Sequence, residues 1–427
     1  MACELLIQTK QPKTALKFAK AALERFQQLG SKAAQAHVQD SMGRIFIALD
    51  KPEKAIAVVD EARAIAESLG DMRWSARLMH GVAQAHIKSK DTNEAICALD
   101  RAVALAQAAG DSQETARLQQ VLCDALLFKR RDLKGALSTA TEAQQSAQKT
   151  GDKRAEGHAV LRLALLSSSM GDGERGLVLA KEAQDCFQEA FWPRGEAQVL
   201  HLVAEMRAHM GELEAALEAA EERLTVMREL NDLTLEAQAL LQVASLHHRD
   251  RNFAEAEKLA KEVQQLGSKD RNLQIQIQAL MLLGQIYGAQ VSSFEPGDKE
   301  AKPWVDKALR AASDAVQLAG KAQDRGLRAQ TLYRRAESMV LGFRFHHALK
   351  DVKEAGGIFE ALDASVSLGR CLLVGANIKQ ATGERDSAMA DLDRATGIAQ
   401  ATRDASLTQE CEVLRKALDN KLKEEEA

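Results

Sequence analysis

Aromatic residues and proline are scarce in this chain of 427 residues: it has 2 Tyr, 3 Trp, 11 Phe and only 5 Pro. Few prolines leave long helices uninterrupted. Few aromatics leave little for the stacking platforms that read single-stranded RNA. The six cysteines, Cys3, Cys97, Cys123, Cys186, Cys371 and Cys411, form no CxxC pair, so they read as reduced small hydrophobes inside helices. No apolar run nears the roughly 20 residues of a membrane span, and Leu5-Leu6-Ile7 is too short for a secretory core. Membrane insertion is therefore not expected, and a cytoplasmic location is. A net charge of −4 and a pI near 6.3 give no case for nucleic acid. Gly-rich phosphate loops, HExxH and GxSxG are all missing, so neither an enzyme nor a cofactor is expected. The pairs His247-His248 and His346-His347 are adjacent, so on a helix they point about 100° apart and chelate metal poorly.

What is abundant is a repeat. Within Glu61 to Ala102 two amphipathic runs are legible, Met72 to Lys88 and Thr92 to Ala108, with Leu78, Val82 and Ala85 and then Ala95, Leu99 and Ala102 spaced three and four apart. Gly70 suits the left-handed end of the preceding helix and Asp71 the cap of the next. Asp91 with Glu94 reads as a reciprocal capping box. A small residue early in each second helix recurs at Ala15, Ala55, Ala95, Ala136, Gly176, Ala216, Ala256, Ala308, Ala348 and Ala388. Successive differences are 40 residues, except 41 between Ala95 and Ala136 and 52 between Ala256 and Ala308. Seven residues on, a second column holds Ala22, Ala62, Ala102, Ala143, Ala183, Arg223, Val263, Ala315, Ala355 and Ala395. Small side chains at both places let helices approach closely. The pattern predicts an all-α chain: an α-solenoid of about ten helix-turn-helix units forming a right-handed superhelix.

The expected organisation is a solenoid over residues 1–404 and a capping helix over 405–427. The first unit is shortened, its leading helix being only Met1 to Lys10, as in a reduced cap or a chain cut from a longer protein. Phe191-Trp192-Pro193-Arg194 replaces the usual Gly-Asp turn, and both aromatics are expected to wedge it. A 12-residue insertion falls near 289–303, expected as a loop or an extended helix end.

Spacing and residue types together resemble tetratricopeptide repeats. Leu283-Gly284-x-x-Tyr287 fits the first-helix pattern fully and Met42-Gly43-x-x-Phe46 nearly, while Ala83, Ala164, Ala204, Ala244, Ala336 and Ala376 take the glycine position elsewhere. The forty-residue period is similar to the long-helix subtype of Pins/LGN scaffolds, rapsyn and kinesin light chains. The Asn that follows the Gly in Pins/LGN occurs once, at Asn377, so the resemblance carries the architecture and not that ligand.

In that family the first helix of each unit lines an inner groove, so the resemblance implies a protein-binding scaffold. The candidate groove residues are His37, Arg44, Arg77, His80, Gln84, Lys88, Arg117, Gln120, His158, Gln198, His201, Gln238, Gln278, Tyr333 and Arg370. They offer hydrogen-bond donors to the backbone and carboxylates of an extended peptide, with an apolar floor expected toward the later repeats. The expected partner is a protein or peptide, with acidic segments favoured and with binding strengthened as the histidines protonate near pH 6. The alternative is a regulatory arm of a larger enzyme or signalling ATPase.

Overall fold

The computed structural model describes residues 11–295, 297–402 and 404–426. The short leading helix expected over Met1 to Lys10 lies outside these residues. Among them are twenty α-helices and no strand. Two packed units share the chain, one up to Met210 and one from Gly211 onward. The first contains α1 (Pro12–Gln28), α2 (Lys32–Ala48), α3 (Pro52–Ser68), α4 (Met72–Lys88), α5 (Thr92–Ala108), α6 (Ser112–Ala125), α7 (Leu133–Thr150), α8 (Lys153–Ser169), α9 (Gly173–Glu189) and α10 (Pro193–His209). The second contains α11 (Leu213–Glu229), α12 (Leu233–Arg249), α13 (Phe253–Lys269), α14 (Leu273–Val291), α15 (Lys302–Ala322), α16 (Arg325–Leu341), α17 (Phe345–Ala361), α18 (Ser365–Ala381), α19 (Arg385–Thr402) and α20 (Ala405–Glu426).

Most helices run 17 residues because each is stopped by the same device. One residue past the C-cap takes the left-handed conformation, as at Gly70 (φ 69°), Lys90 (φ 64°) and Gly110 (φ 66°). The next residue then caps the following helix: Asp71 Oδ1 accepts from the Trp74 N–H at 2.9 Å and Asp111 Oδ1 from the Glu114 N–H at 3.1 Å. At Asp91 only half of the expected capping box is made. Its Oδ1 accepts from the Glu94 N–H at 3.4 Å, but its own N–H is already donated to the His86 carbonyl at 2.9 Å, closing the preceding helix. Glu94 therefore has no N–H to accept.

The small-residue column is the spine of the packing. Ala55, Ala95, Ala136, Ala216, Ala256, Ala308, Ala348 and Ala388 are all buried. Within each of the two packed units, a first helix packs on the second helix that follows it and, through that helix, on the next repeat. Successive first helices also touch one another (α2 with α4, α6 with α8, α8 with α10, and in the second unit α12, α14, α16, α18 and α20 in turn), whereas successive second helices make at most sporadic contact. First helices thus form the closely spaced inner row of each unit.

Both breaks in the period have a local cause. The extra residue between Ala95 and Ala136 is absorbed by a π-helical turn, Leu126–Arg130, followed by Arg131 in the left-handed region (φ 56°). Across the 52-residue interval, α14 runs to Val291, a 3₁₀ turn spans Lys299–Ala301 and α15 starts at Lys302, so much of the insertion is helix and its loop is shorter than 289–303. Ala301 is buried and Trp304 packs on Tyr287 (ring centroids 6.1 Å apart). At the aromatic turn only Trp192 wedges, 5.2 Å from the Phe187 ring and 4.8 Å from His158; Phe191 is 92% exposed. With φ at 49°, its backbone points the side chain out of the turn.

Candidate functional site: the inner row of first helices

In the first unit the row α2, α4, α6, α8 and α10 presents His37, Arg77, Arg117, His158 and Gln198 at equivalent positions. All are exposed except His158. That exposure follows from the 3.6-residue period, because the residues on either side, such as Ala76 and Leu78, are buried against the second helices. His37 stacks on Trp74 with ring centroids 4.0 Å apart, which fixes α2 against α4.

Several expected donors are already engaged. Both guanidinium arms of Arg117 reach Glu114, at 2.7 and 2.6 Å. Arg44 pairs with Asp40 at 3.0 Å and Lys88 with Asp50 at 3.4 Å. Gln120 donates to the Ala155 carbonyl at 3.0 Å, tying α6 to the start of α8. Arg77 is different: it is exposed and has no ion pair among the described residues.

The structure does gather His80, Gln84 and Arg117 into one cluster. His80 Nδ1 lies 3.4 Å from the Arg117 guanidinium and its Nε2 lies 3.2 Å from the Gln84 amide nitrogen; both neighbours are donors, and a neutral ring accepts from one of them. Burial, followed by the positive Arg117, lowers the His80 pKa to about 4. His158, enclosed by Phe187 and Trp192, is likewise lowered to about 4 by burial and then by Arg162 and Arg154. These two rings stay neutral at pH 6, so the gain in attraction expected there does not come from them.

Further along the row lies a groove of about 750 Å³ between α6, α8 and α10. Leu161, Leu165, Leu202 and Met206 supply apolar wall, Gln198 and His201 stand on its rim, and Phe128, 61% exposed, borders it from the π turn. At its base Arg162 makes a bidentate pair with Asp124, both bonds 3.0 Å, across adjacent first helices. The apolar floor expected in later repeats is thus present in the first unit. Phe128 and the pairing of Asp124 with Arg162 escaped the sequence reading, although the 41-residue spacing marks the place.

Charge is unevenly divided between the rows. Formal charge is +1 on α2, +3 on α4, +1 on α6 with its π turn, +2 on α8 and 0 on α10, a surplus of seven that the caps Asp71, Asp111 and Asp152 reduce to four. The second helices α3, α5, α7 and α9 carry −2, −1, +1 and −2.

In the second unit Gln238 and Arg370 are exposed, and Gln278 and Tyr333 half-buried. Burial, then the Glu337 carboxylate, pushes the Tyr333 phenol up. Arg334 lies 5.5 Å over the Tyr333 ring, pairs with Glu337 at 2.8 Å and donates to the Gln285 amide oxygen at 2.9 Å, closing a polar hollow of about 290 Å³. Among the described residues no group of three His, Cys, Asp or Glu could hold a metal ion, and no helix is long and apolar enough to cross a membrane.

A regular stack of helix pairs, with one face built from first helices, defines an α-solenoid repeat protein. Residues 33–108 match the family model of the tetratricopeptide repeat. The same helix-pair unit recurs on both sides of that match, so the chain as a whole has the architecture of a tetratricopeptide-repeat solenoid. Comparison with curated protein sequences gives no match. Among solved structures, yeast Tom70 is similar over 99% of this chain and 95% of its own, at 12% identity and a TM-score of 0.54. A signal transduction ATPase with a tetratricopeptide repeat sensor from Pyrococcus horikoshii is similar over 82% of this chain at 16% identity and a TM-score of 0.51. This chain covers 53% of that ATPase, about half its length. A Rap protein complexed with competence and sporulation factor matches over 88% of this chain and 99% of its own, at 16% identity and a TM-score of 0.50. At such identities the likeness shows the fold.

Proposed function

We propose that this protein is a non-catalytic interaction scaffold, acting in the cytoplasm, whose first-helix row binds an extended or helical segment of a partner protein, with acidic segments favoured. The observation that carries the reading is the groove of about 750 Å³ on the inner row of the first unit, flanked by α4 with Arg73, Arg77 and Lys88 and no acidic residue. The remaining candidates Gln238, Gln278, Tyr333 and Arg370 belong to the same reading in the second unit. The test is purification of the native partner on the intact chain, followed by cross-linking. Cross-links at Lys88 and Lys153, with affinity falling as salt rises and falling again in Arg77→Ala, are expected. Cross-links confined to outer lysines such as Lys54 and Lys181 would sink the idea.

A second reading, a regulatory arm of a larger signalling protein, draws support from the likeness to the sensor-bearing ATPase. An adjoining nucleotide-binding domain in the full open reading frame would favour it.

A further inference from the structure

We infer that the partner segment is bipartite: an apolar anchor seated in the α6–α8–α10 groove, with an acidic pair about six residues away lying toward α4. The inference rests on the peptide-binding reading above and adds the chemistry and order of the ligand. The anchor site is defined by the π turn. In an ordinary repeat the first helix would run on in α-helical register; here Leu126–Arg130 widens by one residue and holds Phe128 at the edge of the groove, largely in solvent. Widened turns of this kind concentrate at functional sites. An exposed aromatic beside Leu165 and Leu202 presents an apolar surface that a side chain of the partner can cover. The charges at the base do not ask for an ionic ligand, because Asp124 and Arg162 satisfy each other.

The acidic end is placed by charge complementarity. α10 is formally neutral, whereas α4 carries three cations and no acid. Of those three, Arg73 faces Asp111 at 3.5 Å and Lys88 faces Asp50, which leaves Arg77 uncommitted. Arg154, over the Trp192 ring at 4.0 Å, adds a further positive charge on α8. Packed helices lie roughly 10 Å apart, so two steps from α8 to α4 span about 20 Å, or about six residues of extended chain.

The test uses the intact chain as bait for a displayed library of random 16-residue peptides, followed by anisotropy titrations of the enriched peptides. Peptides carrying a Leu, Met or aromatic anchor and an Asp or Glu pair about six residues away are expected. Phe128→Ala, an exposed position, should weaken them at least about tenfold, and Arg77→Ala about three- to tenfold with a shallower salt dependence. Binders that lack this pattern, or that bind Phe128→Ala undiminished, overturn the bipartite ligand and leave the peptide-binding reading standing. A library that yields no binder against the intact chain overturns both.

Discussion

Two glycines at the same repeat position should respond to alanine with opposite signs. Gly43 and Gly284 both stand where first and second helices of a unit approach. A Cβ on Gly43 would lie 2.2 Å from Val59 Cγ2, far inside contact distance. Val59 is 2% exposed and β-branched, so on α3 it has one strongly preferred rotamer and little room to turn away. Overpacking of this kind costs roughly 1–3 kcal/mol, against about 1 kcal/mol gained in helix propensity. Gly43→Ala should therefore lose about 0–2 kcal/mol. A Cβ on Gly284 meets nothing closer than the Ala308 carbonyl at 3.8 Å, an ordinary contact. Gly284→Ala keeps the propensity gain and should add about 0.5–1 kcal/mol.

Repeat arrays need not unfold in one step, so the readout is hydrogen exchange on α2–α3 and α14–α15, beside the urea midpoint. Combining Gly43→Ala with Val59→Ala removes the clash, so the pair should cost less than the sum of its singles by about 1–2 kcal/mol. If Gly43→Ala stabilises as much as Gly284→Ala, α2 and α3 are further apart than the packing described, and the close-contact column does not have the meaning given to it.

Phe191→Gly should raise stability by about 0.5–1 kcal/mol, because an exposed L-residue at φ 49° carries a left-handed penalty that glycine escapes; a loss in the denaturation midpoint would show that the ring is packed. Because the His158 pKa falls from 6.5 to about 4 on folding, its share of stability is full above pH 6.5 and is lost as pH drops toward 4, by up to about 3 kcal/mol. His158→Gln should flatten thermal stability across that window, and an unchanged slope refutes it. Brief trypsin treatment should cut after Lys299 before it cuts within the helices, since Lys302 is shielded by Pro303; first cleavage elsewhere would mean that the insertion is packed.

Much of this fold was legible because it rests on residues whose effect is local. Gly70 and Asp71 end one helix and start the next through their own backbone and side chain, so their meaning survives without neighbours. The bounds of α4 and α5 follow from them. Ala95 and its column were legible for a related reason: a position that is small in unit after unit reports a close approach. The candidate site was harder. Arg117, Lys88 and Arg44 look alike as donors along the chain, yet each meets a carboxylate set by helix geometry, at Glu114, Asp50 and Asp40. Whether a cation is spent is a property of three-dimensional neighbours, and of the candidate cations Arg77 and Arg370 meet no carboxylate among the described residues.

The same contrast explains where the groove was hidden. A repeat predicts what is common to its copies, and a binding site is what one copy does differently. Phe128 sits in no column, since it belongs to the single extra residue between Ala95 and Ala136, and a 41 among 40s looks like noise. Physically it is the reverse: one residue added to a helix that must still return to register forces a π turn, and that turn swings a large apolar side chain out of the core. The 52-residue interval, which is far more conspicuous, is divided between lengthening α14 and α15 and a longer connection that buries Ala301. The larger interruption also lines a hollow of about 550 Å³ with Val291, Phe294 and Phe343, so size alone does not separate the two. In the reading proposed above, what singles out the smaller one is that its added residue is absorbed inside a helix, which holds Phe128 at the edge of the groove.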